Sequence, residues 1–430
     1  MTVTIASSLT LPCGVNLKNR LAKAALTEGL ADGNNHATEA HQRLYRKWSQ
    51  GGAGLVITGN VQVDRRYLER PGNIAIDNNG GEAQLAAMAQ AGTEGGNQLW
   101  MQISHAGRQT IRYINAEPVG PSAVPVQLPG GAFGKPRALT EAQIEDVIAR
   151  FTRAAATAQK TGFTGVQLHA AHGYLLSEFL SPKANQRTDQ WGGSLENRAR
   201  LLLTIVREVR AAVGPTYPIS VKLNSADFQK GGFSFEDSMQ VAQWLEQTGV
   251  DLLEISGGTY EQLSFFGTGG EGLQPAMAQS TREREAYFLD YAERIRQVSR
   301  IPLMVTGGFR SLVGMNKALA DDALDVIGLG RPMCVDTDLP NKLLQGLCEE
   351  APRYENRLRI GPGVLGAGSR INRIRNFNHM YAQGWYCVQL LRLGKGQMPD
   401  IELNPLKGMI QYLANELKGS RALKARRLNA

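Results

Sequence analysis

Eight short apolar segments, each trailed by a longer stretch in which apolar residues recur every three or four positions, impose the strongest constraint on this chain. The candidate strands are Leu21–Ala25, Leu55–Thr58, Gln98–Ile103, Gly165–His169, Ile219–Leu223, Asp251–Ile255, Pro302–Thr306 and Asp325–Leu329. Between them, Glu141–Lys160, Leu195–Ala212, Phe235–Gln247 and Glu283–Gln297 carry polar residues among the apolar ones, as helices with one buried face do. Eight strand-then-helix units in series predict an α/β fold, a closed parallel (β/α)8 TIM barrel. The competing arrangement is an open, doubly wound sheet.

At 430 residues the chain fits one such catalytic domain over residues 1–340, with a C-terminal helical extension over residues 341–430. That extension has helical patterns near Asn372–Leu391 and Pro405–Lys418 and no evident chemistry, and it reads as packing on the barrel or on a partner subunit. A monomer and a homodimer both suit this reading. Between the third strand and its helix, His105–Arg137 is rich in proline and glycine, and a loop of that length is expected to act as a lid or cover.

The formal charge of +8 raises the question of nucleic acid, but Lys418–Arg427 alone holds five basic residues and no acid. Such a block reads as a solvated basic tail, and without interleaved aromatics or a reading module no nucleic-acid partner is expected. Cys13, Cys334, Cys348 and Cys387 lie far apart, which suggests neither a zinc site nor a disulfide framework. A reducing cytoplasm fits that usage. No signal-peptide pattern and no long apolar run occurs, so neither secretion nor a membrane partner is expected.

Reactive groups of such a barrel sit at the C-terminal strand ends. There the fourth strand presents His169 and His172, with Tyr174 two residues on, while the third runs into His105 and the fifth carries Lys222. Two imidazoles and a phenol suit polarisation of an oxygen coupled to proton delivery. A zinc site built from His105, His169 and His172 is the rival; Lys222 would repel the cation and suit an anionic cofactor instead. After strands seven and eight, Gly307-Gly308 and Gly330-Arg331 form phosphate-binding signals, with tight turns as the plain alternative. A GxGxxG at Gly361–Gly366 lacks the βαβ setting that would make it a dinucleotide fingerprint.

Several of these runs resemble the old yellow enzyme family of FMN-dependent oxidoreductases over roughly residues 3 to 340. The resemblance is carried by Lys18-Asn19-Arg20, by Gln102-Ile103-Ser104-His105-Ala106-Gly107-Arg108, and by the run from His169-Ala170-Ala171-His172-Gly173-Tyr174 to Pro182. Asn185–Asp189 and Trp191–Arg198 continue it. It implies tightly but non-covalently bound FMN, with NADH or NADPH as co-substrate. Ala25, Thr27 and the backbone of Gly59 would meet the flavin near its reactive nitrogen, with Thr27 tuning its potential. Gln102 and Lys222 would bind the pyrimidine edge, and Gly307, Gly308, Gly330 and Arg331 the phosphate. His169 and His172 match the pair that grips the substrate oxygen, and Tyr174 matches the proton donor.

Lys222 stands where many relatives have arginine, so a point charge replaces a planar fork. Gly29 falls where some relatives place a tyrosine, which predicts a wider pocket. Larger relatives add an iron–sulfur cluster ligated by closely spaced cysteines; Cys348 and Cys387 stand alone, so a barrel-only member is expected. The implied activity is reduction of the activated C=C bond of a small molecule, such as an enone, maleimide or nitroalkene, by a ping-pong cycle. A flavin-dependent amine dehydrogenase or demethylase, a metal-dependent barrel hydrolase and a silent flavin-binding scaffold remain open alternatives.

Overall fold

Each of the eight apolar runs becomes a strand, and the pairing between them runs full circle. The computed structural model describes residues 2–128, 131–258, 286, 288–359, 361, 363–366, 369 and 371–427. In chain order the strands are β1 (Leu21–Lys23), β2 (Leu55–Ile57), β3 (Gln98–Ser104), β4 (Gly165–Ala170), β5 (Ile219–Asn224), β6 (Leu252–Ser256), β7 (Leu303–Thr306) and β8 (Val326–Leu329). Each pairs in parallel with its sequence neighbours, and β8 pairs with β1, so the sheet has no free edge. The open-sheet alternative is thereby excluded.

Side chains alternate in and out along each strand, so the barrel interior is filled in layers. Toward the N-terminal ends Ala22, Leu55, Trp100, Leu252, Met304 and Val326 form one apolar cluster. Leu11 and Leu17 close it from below, carried by a small antiparallel pair, Leu9–Thr10 against Asn16–Leu17. Two residues further along the strands the interior turns polar, with Gln102, Gln167, Lys222, Glu254 and Ser256 all buried. The change of chemistry along the axis puts reactive groups at the C-terminal mouth and an inert plug at the other end.

The outer layer is α1 (Glu39–Gln50), α2 (Glu82–Thr93), α3 (Glu141–Lys160), α4 (Leu195–Val213), α5 (Phe235–Gln247), α6 (Leu289–Arg296), α7 (Leu312–Ala320) and the short α8 (Leu339–Leu344). Sequence marks several starts: Thr140, Ser194, Ser234 and Ser311 each accept a backbone N–H of the first turn, worth about 1 kcal/mol apiece. The expected helix Glu283–Gln297 is found as Leu289–Arg296, and positions 283–285 and 287 lie outside the described residues.

Two long helices follow, α9 (Asn372–Gly394) and α10 (Pro405–Arg427), packed on each other, with α9 also against α1. α10 runs on to Arg427 instead of ending near Lys418, because its last stretch is Ala, Leu, Lys and Arg, all strong helix formers. The basic block is thus helical and not a loose tail. Gly419 permits this, since a Cβ there would lie 2.7 Å from Pro71, and Leu423 beyond it packs beside Leu68, Ala75 and Ile114. Among the described residues no helix is long and apolar enough to cross a membrane.

His41, His105, His169 and His172 are buried, and loss of solvent holds His41 and His105 down to about 4 and the other two well below their ordinary 6.5. The unfolded chain takes up these protons at the ordinary value and the folded chain does not. Stability is therefore retained above pH 6.5 and lost as pH falls toward 4, by roughly 1.4 kcal/mol per pH unit for each imidazole in that window. Urea unfolding is expected to give a lower free energy at about pH 5.5 than at about pH 7.5. An equal or higher value at the lower pH contradicts this accounting.

Candidate active site

The C-terminal strand ends surround a cavity of about 330 Å³. Its wall includes Ala25, Thr27, Gln102, His169, His172, Tyr174, Lys222, Gly307, Gly308, Gly330 and Arg331, which the sequence places in six separate parts of the chain's first 331 residues. Gly59, the remaining predicted residue, is not on the wall. Its N–H donates to Glu28 Oε1 at 3.1 Å and lies 3.2 Å from the Tyr45 hydroxyl, so that backbone donor is already committed. Thr27 reaches the cavity, and its hydroxyl donates to Glu69 Oε2 at 3.0 Å, so the oxygen offers the cavity a lone pair.

The histidine turn is held from several sides. His172 adopts φ +65°, an uncommon conformation for a residue with a Cβ, followed by Gly173 at +79°. Asn224 Oδ1 accepts its N–H at 3.1 Å, and Gln109 Nε2 donates to its carbonyl at 2.7 Å. The imidazoles of His169 and His172 meet edge to face at 5.0 Å, and Tyr174 meets His169 in the same way at 4.8 Å. Nδ1 of His169 accepts the Ala171 N–H at 3.3 Å, which leaves the ring proton on Nε2. Nε2 of His172 is 2.6 Å from Ser256 Oγ. Burial and the nearby Lys222 charge keep both rings neutral, so they serve as hydrogen-bonding groups and not as acids.

The floor is a chain of side chains from neighbouring strands. Gln102 Nε2 donates to Gln167 Oε1 at 2.8 Å, and Gln167 Nε2 donates to Glu254 Oε2 at 2.8 Å. Glu254 Oε1 lies 2.9 Å from Lys222 Nζ and accepts the Thr306 hydroxyl at 2.7 Å. Glu254 has no exposed surface. Sequence reading missed it, although an acid inside the apolar run Leu252–Ile255 was a usable signal.

At the opposite side Gly307 and Gly308 take φ +109° and +100°, and a Cβ built on Gly330 would meet nothing within 4 Å. Backbone there borders open space beside the guanidinium of Arg331. Arg310, which sequence reading did not single out, also lines the cavity and pairs with Glu355 Oε1 at 2.6 Å; Arg331 is 3.9 Å from the same oxygen. An anionic phosphate fits this set of glycines and arginines, and a flat ring with donors and acceptors on one edge fits the Gln102–Lys222 floor. The site therefore suits FMN.

Three expectations change. His105 does not reach the mouth: its ring lies against Tyr67 at 5.1 Å and its Nδ1 accepts the Gly107 N–H at 3.0 Å. Among the described residues no cluster of three His, Cys, Asp or Glu could hold a metal, so the zinc alternative loses its ligands. The loop from His105 to Arg137 places none of its described residues on the cavity wall; through Arg108, Gln109 and His105 it braces the His172 turn and the following helical turn, Leu175–Leu180. The cavity does not widen at Gly29, because Arg70 fills the space: a Cβ there would lie 2.8 Å from Arg70 Nη2. Within the GxGxxG segment the described residues hold a 3-10 turn, Gly363–Leu365.

The C-terminal extension is part of the wall. Tyr386, Cys387 and Leu390 of α9 line the cavity, and Glu416 of α10 holds the buried guanidinium of Arg70, which lies 5.1 Å from the Tyr412 ring. These contacts were invisible to sequence reading because α9 and α10 lie some 300 residues from the segments they touch.

A parallel barrel whose mouth joins a flat polar floor to a phosphate-sized glycine turn belongs to the class of FMN-binding barrels. More particularly, the chain belongs to the NADH:flavin oxidoreductase / NADH oxidase family, whose model matches residues 10–350. FMN is that family's cofactor and NAD(P)H its reductant. It is 36% identical over 356 residues to the NADH-dependent flavin oxidoreductase iliE of Hypocrea jecorina (strain QM6a), covering 78% of this chain and 88% of that one. The protein of the same name from Neonectria sp. (strain DH2) is 37% identical over 351 residues, 77% of this chain and 46% of its own, so the chain spans about half of that relative's length. The fold matches that of the old yellow enzyme homologue from Zymomonas mobilis with a TM-score of 0.67 at 24% identity, over 84% of this chain and 97% of that one.

Replacing Arg70 with methionine leaves Glu416 buried without its partner and is expected to cost about 3–5 kcal/mol of stability. Replacing both, Arg70→Met with Glu416→Leu, is expected to recover most of the loss. Denaturant titration of the single and double variants measures the coupling, and a double variant no better than Arg70→Met contradicts it.

Proposed function

We propose that this chain is an FMN-dependent ene-reductase: it takes hydride equivalents from NADH or NADPH and reduces the activated C=C bond of an enone, maleimide or nitroalkene. The observation that carries this reading is the facing of two neutral imidazoles and a phenol, all from the end of β4, over a floor formed by Gln102 and Lys222.

Ala25, Thr27, Gln102 and Lys222 would hold the ring system, and Gly307, Gly308, Gly330 and Arg331 the phosphate. Bound FMN supplies a carrier that accepts hydride from the nicotinamide and gives it to the β-carbon of the acceptor. Lys222 would place a positive charge beside the ring's pyrimidine edge, and Gln102 would fix the same edge. His169 donates its Nε2 proton to the acceptor's oxygen and His172 flanks it, drawing electron density away from the alkene. Neither ring is charged, so Tyr174 is left as the group that delivers a proton to the α-carbon. One cavity takes nicotinamide and acceptor in turn, which gives a ping-pong cycle. The barrel, residues 1–340, carries this chemistry, while the extension 341–430 closes the cavity through Tyr386, Cys387 and Leu390.

Tyr174→Phe is expected to slow re-oxidation by an enone by about 10²–10⁴-fold while leaving reduction by NADH nearly unchanged, measured as separate half-reactions by anaerobic stopped flow. Equal slowing of both halves speaks against the assigned role. Replacing both His169 and His172 with alanine is expected to weaken binding of a phenol by roughly 2–4 kcal/mol, the worth of lost oxyanion donors, read from the absorbance change on titration. Unchanged phenol affinity would remove the imidazoles from the acceptor site.

A further inference from the structure

We propose that Glu254 is a positioning residue which, through Lys222 and Gln102, sets the reduction potential of the bound flavin. The inference rests on the assignment of FMN to the cavity above. Glu254 is not itself on the cavity wall. It lies one layer beneath, fully buried in the barrel interior, in register beside Lys222 on the neighbouring strand.

Two consequences follow from its position. The first is electrostatic. Lys222 Nζ and Glu254 Oε1 are 2.9 Å apart, with the carboxylate fully buried, so the flavin's pyrimidine edge faces an ion pair and not a lone cation. A lone ammonium would favour the anionic reduced ring strongly; the adjacent carboxylate offsets much of that preference. Thr306 and Gln167 donate to the carboxylate at 2.7 and 2.8 Å, so both of its oxygens act as acceptors.

The second consequence is directional. An ionised carboxylate only accepts hydrogen bonds. Gln167 must therefore turn its amide nitrogen toward Glu254, which turns its oxygen toward Gln102. Gln102 must in turn donate to Gln167, so its own oxygen is free of that bond. The buried acid thus fixes which amide atom Gln102, three strands away, keeps available for the flavin edge.

Charge and direction separate experimentally. Reorienting the amides changes binding of oxidised and reduced flavin alike, whereas losing the negative charge favours the reduced form. The test is the midpoint potential of bound FMN, measured anaerobically against a reference dye in the wild-type holoprotein, in Glu254→Gln, in Lys222→Met and in the double variant. Glu254→Gln is expected to raise the relative affinity for reduced over oxidised FMN by tenfold or more, about 30 mV upward for a two-electron couple. Lys222→Met is expected to move it downward. The double variant, which removes both charges, is expected to return to within about threefold of wild type, or about 15 mV.

An unmoved or lowered potential in Glu254→Gln overturns the inference. So does a double variant that falls as far as Lys222→Met, because Glu254 would then be structural and Lys222 would act as a full cation. Should Glu254→Gln not fold, the double variant still decides, since it leaves no unpaired charge buried: near-wild-type potential supports the inference, and a fall of tenfold or more overturns it. Wild-type protein that takes up no FMN overturns the cofactor assignment and this inference with it. FMN bound at an unmoved potential overturns this inference alone.

Discussion

Closing the parallel sheet on itself, with β2 paired to β3 and β8 to β1, creates an interior that side chains alone must fill. Because strand residues alternate, every second position on eight strands is committed to that space, and its chemistry is graded along the axis. The N-terminal end is filled by Trp100, Leu252, Met304 and their neighbours; the next layer holds an ion pair and two amides; the rim carries imidazoles and a phenol. Each layer supports the one above. An apolar base closes the interior below Glu254 and Lys222, and Glu254 sits behind Lys222, which itself faces the cavity.

Much of this was legible in the amino-acid order. Apolar runs bounded by helix-period stretches located all eight strands. His169, His172, Tyr174 and Lys222 could be placed at the mouth because strand ends are where a barrel displays side chains. What stayed hidden depended on distance in the chain or on direction in space. Glu254 was in plain view as an acid within an apolar strand, yet its partner was known only once β5 and β6 were set in register. His105 follows β3 and His169 lies near the end of β4, but the ring of His105 turns toward Tyr67 and away from the cavity. Gly59 lies at a strand end too, and only the fold shows that Glu28 takes its N–H.

The extension after the barrel altered the picture most. Patterning identified two helices without saying what they cover. Gly394 lets α9 approach Leu30 closely and Gly419 lets α10 approach Pro71, and those contacts bring Tyr386, Cys387 and Glu416 to the cavity and its border. Arg70 occupies the place that Gly29 leaves and is anchored by that same extension. The shape of the cavity is therefore written partly in α9 and α10, far along the chain from the strand-end motifs.

The central claim is that this cavity holds a flavin that cycles between a nicotinamide and an electron-poor alkene. Its most direct test is an anaerobic absorbance titration of the purified chain after incubation with FMN. The account predicts a yellow protein that NADH or NADPH bleaches and cyclohexenone then restores. Protein that stays colourless, or a bound flavin that the nicotinamide leaves oxidised, contradicts it.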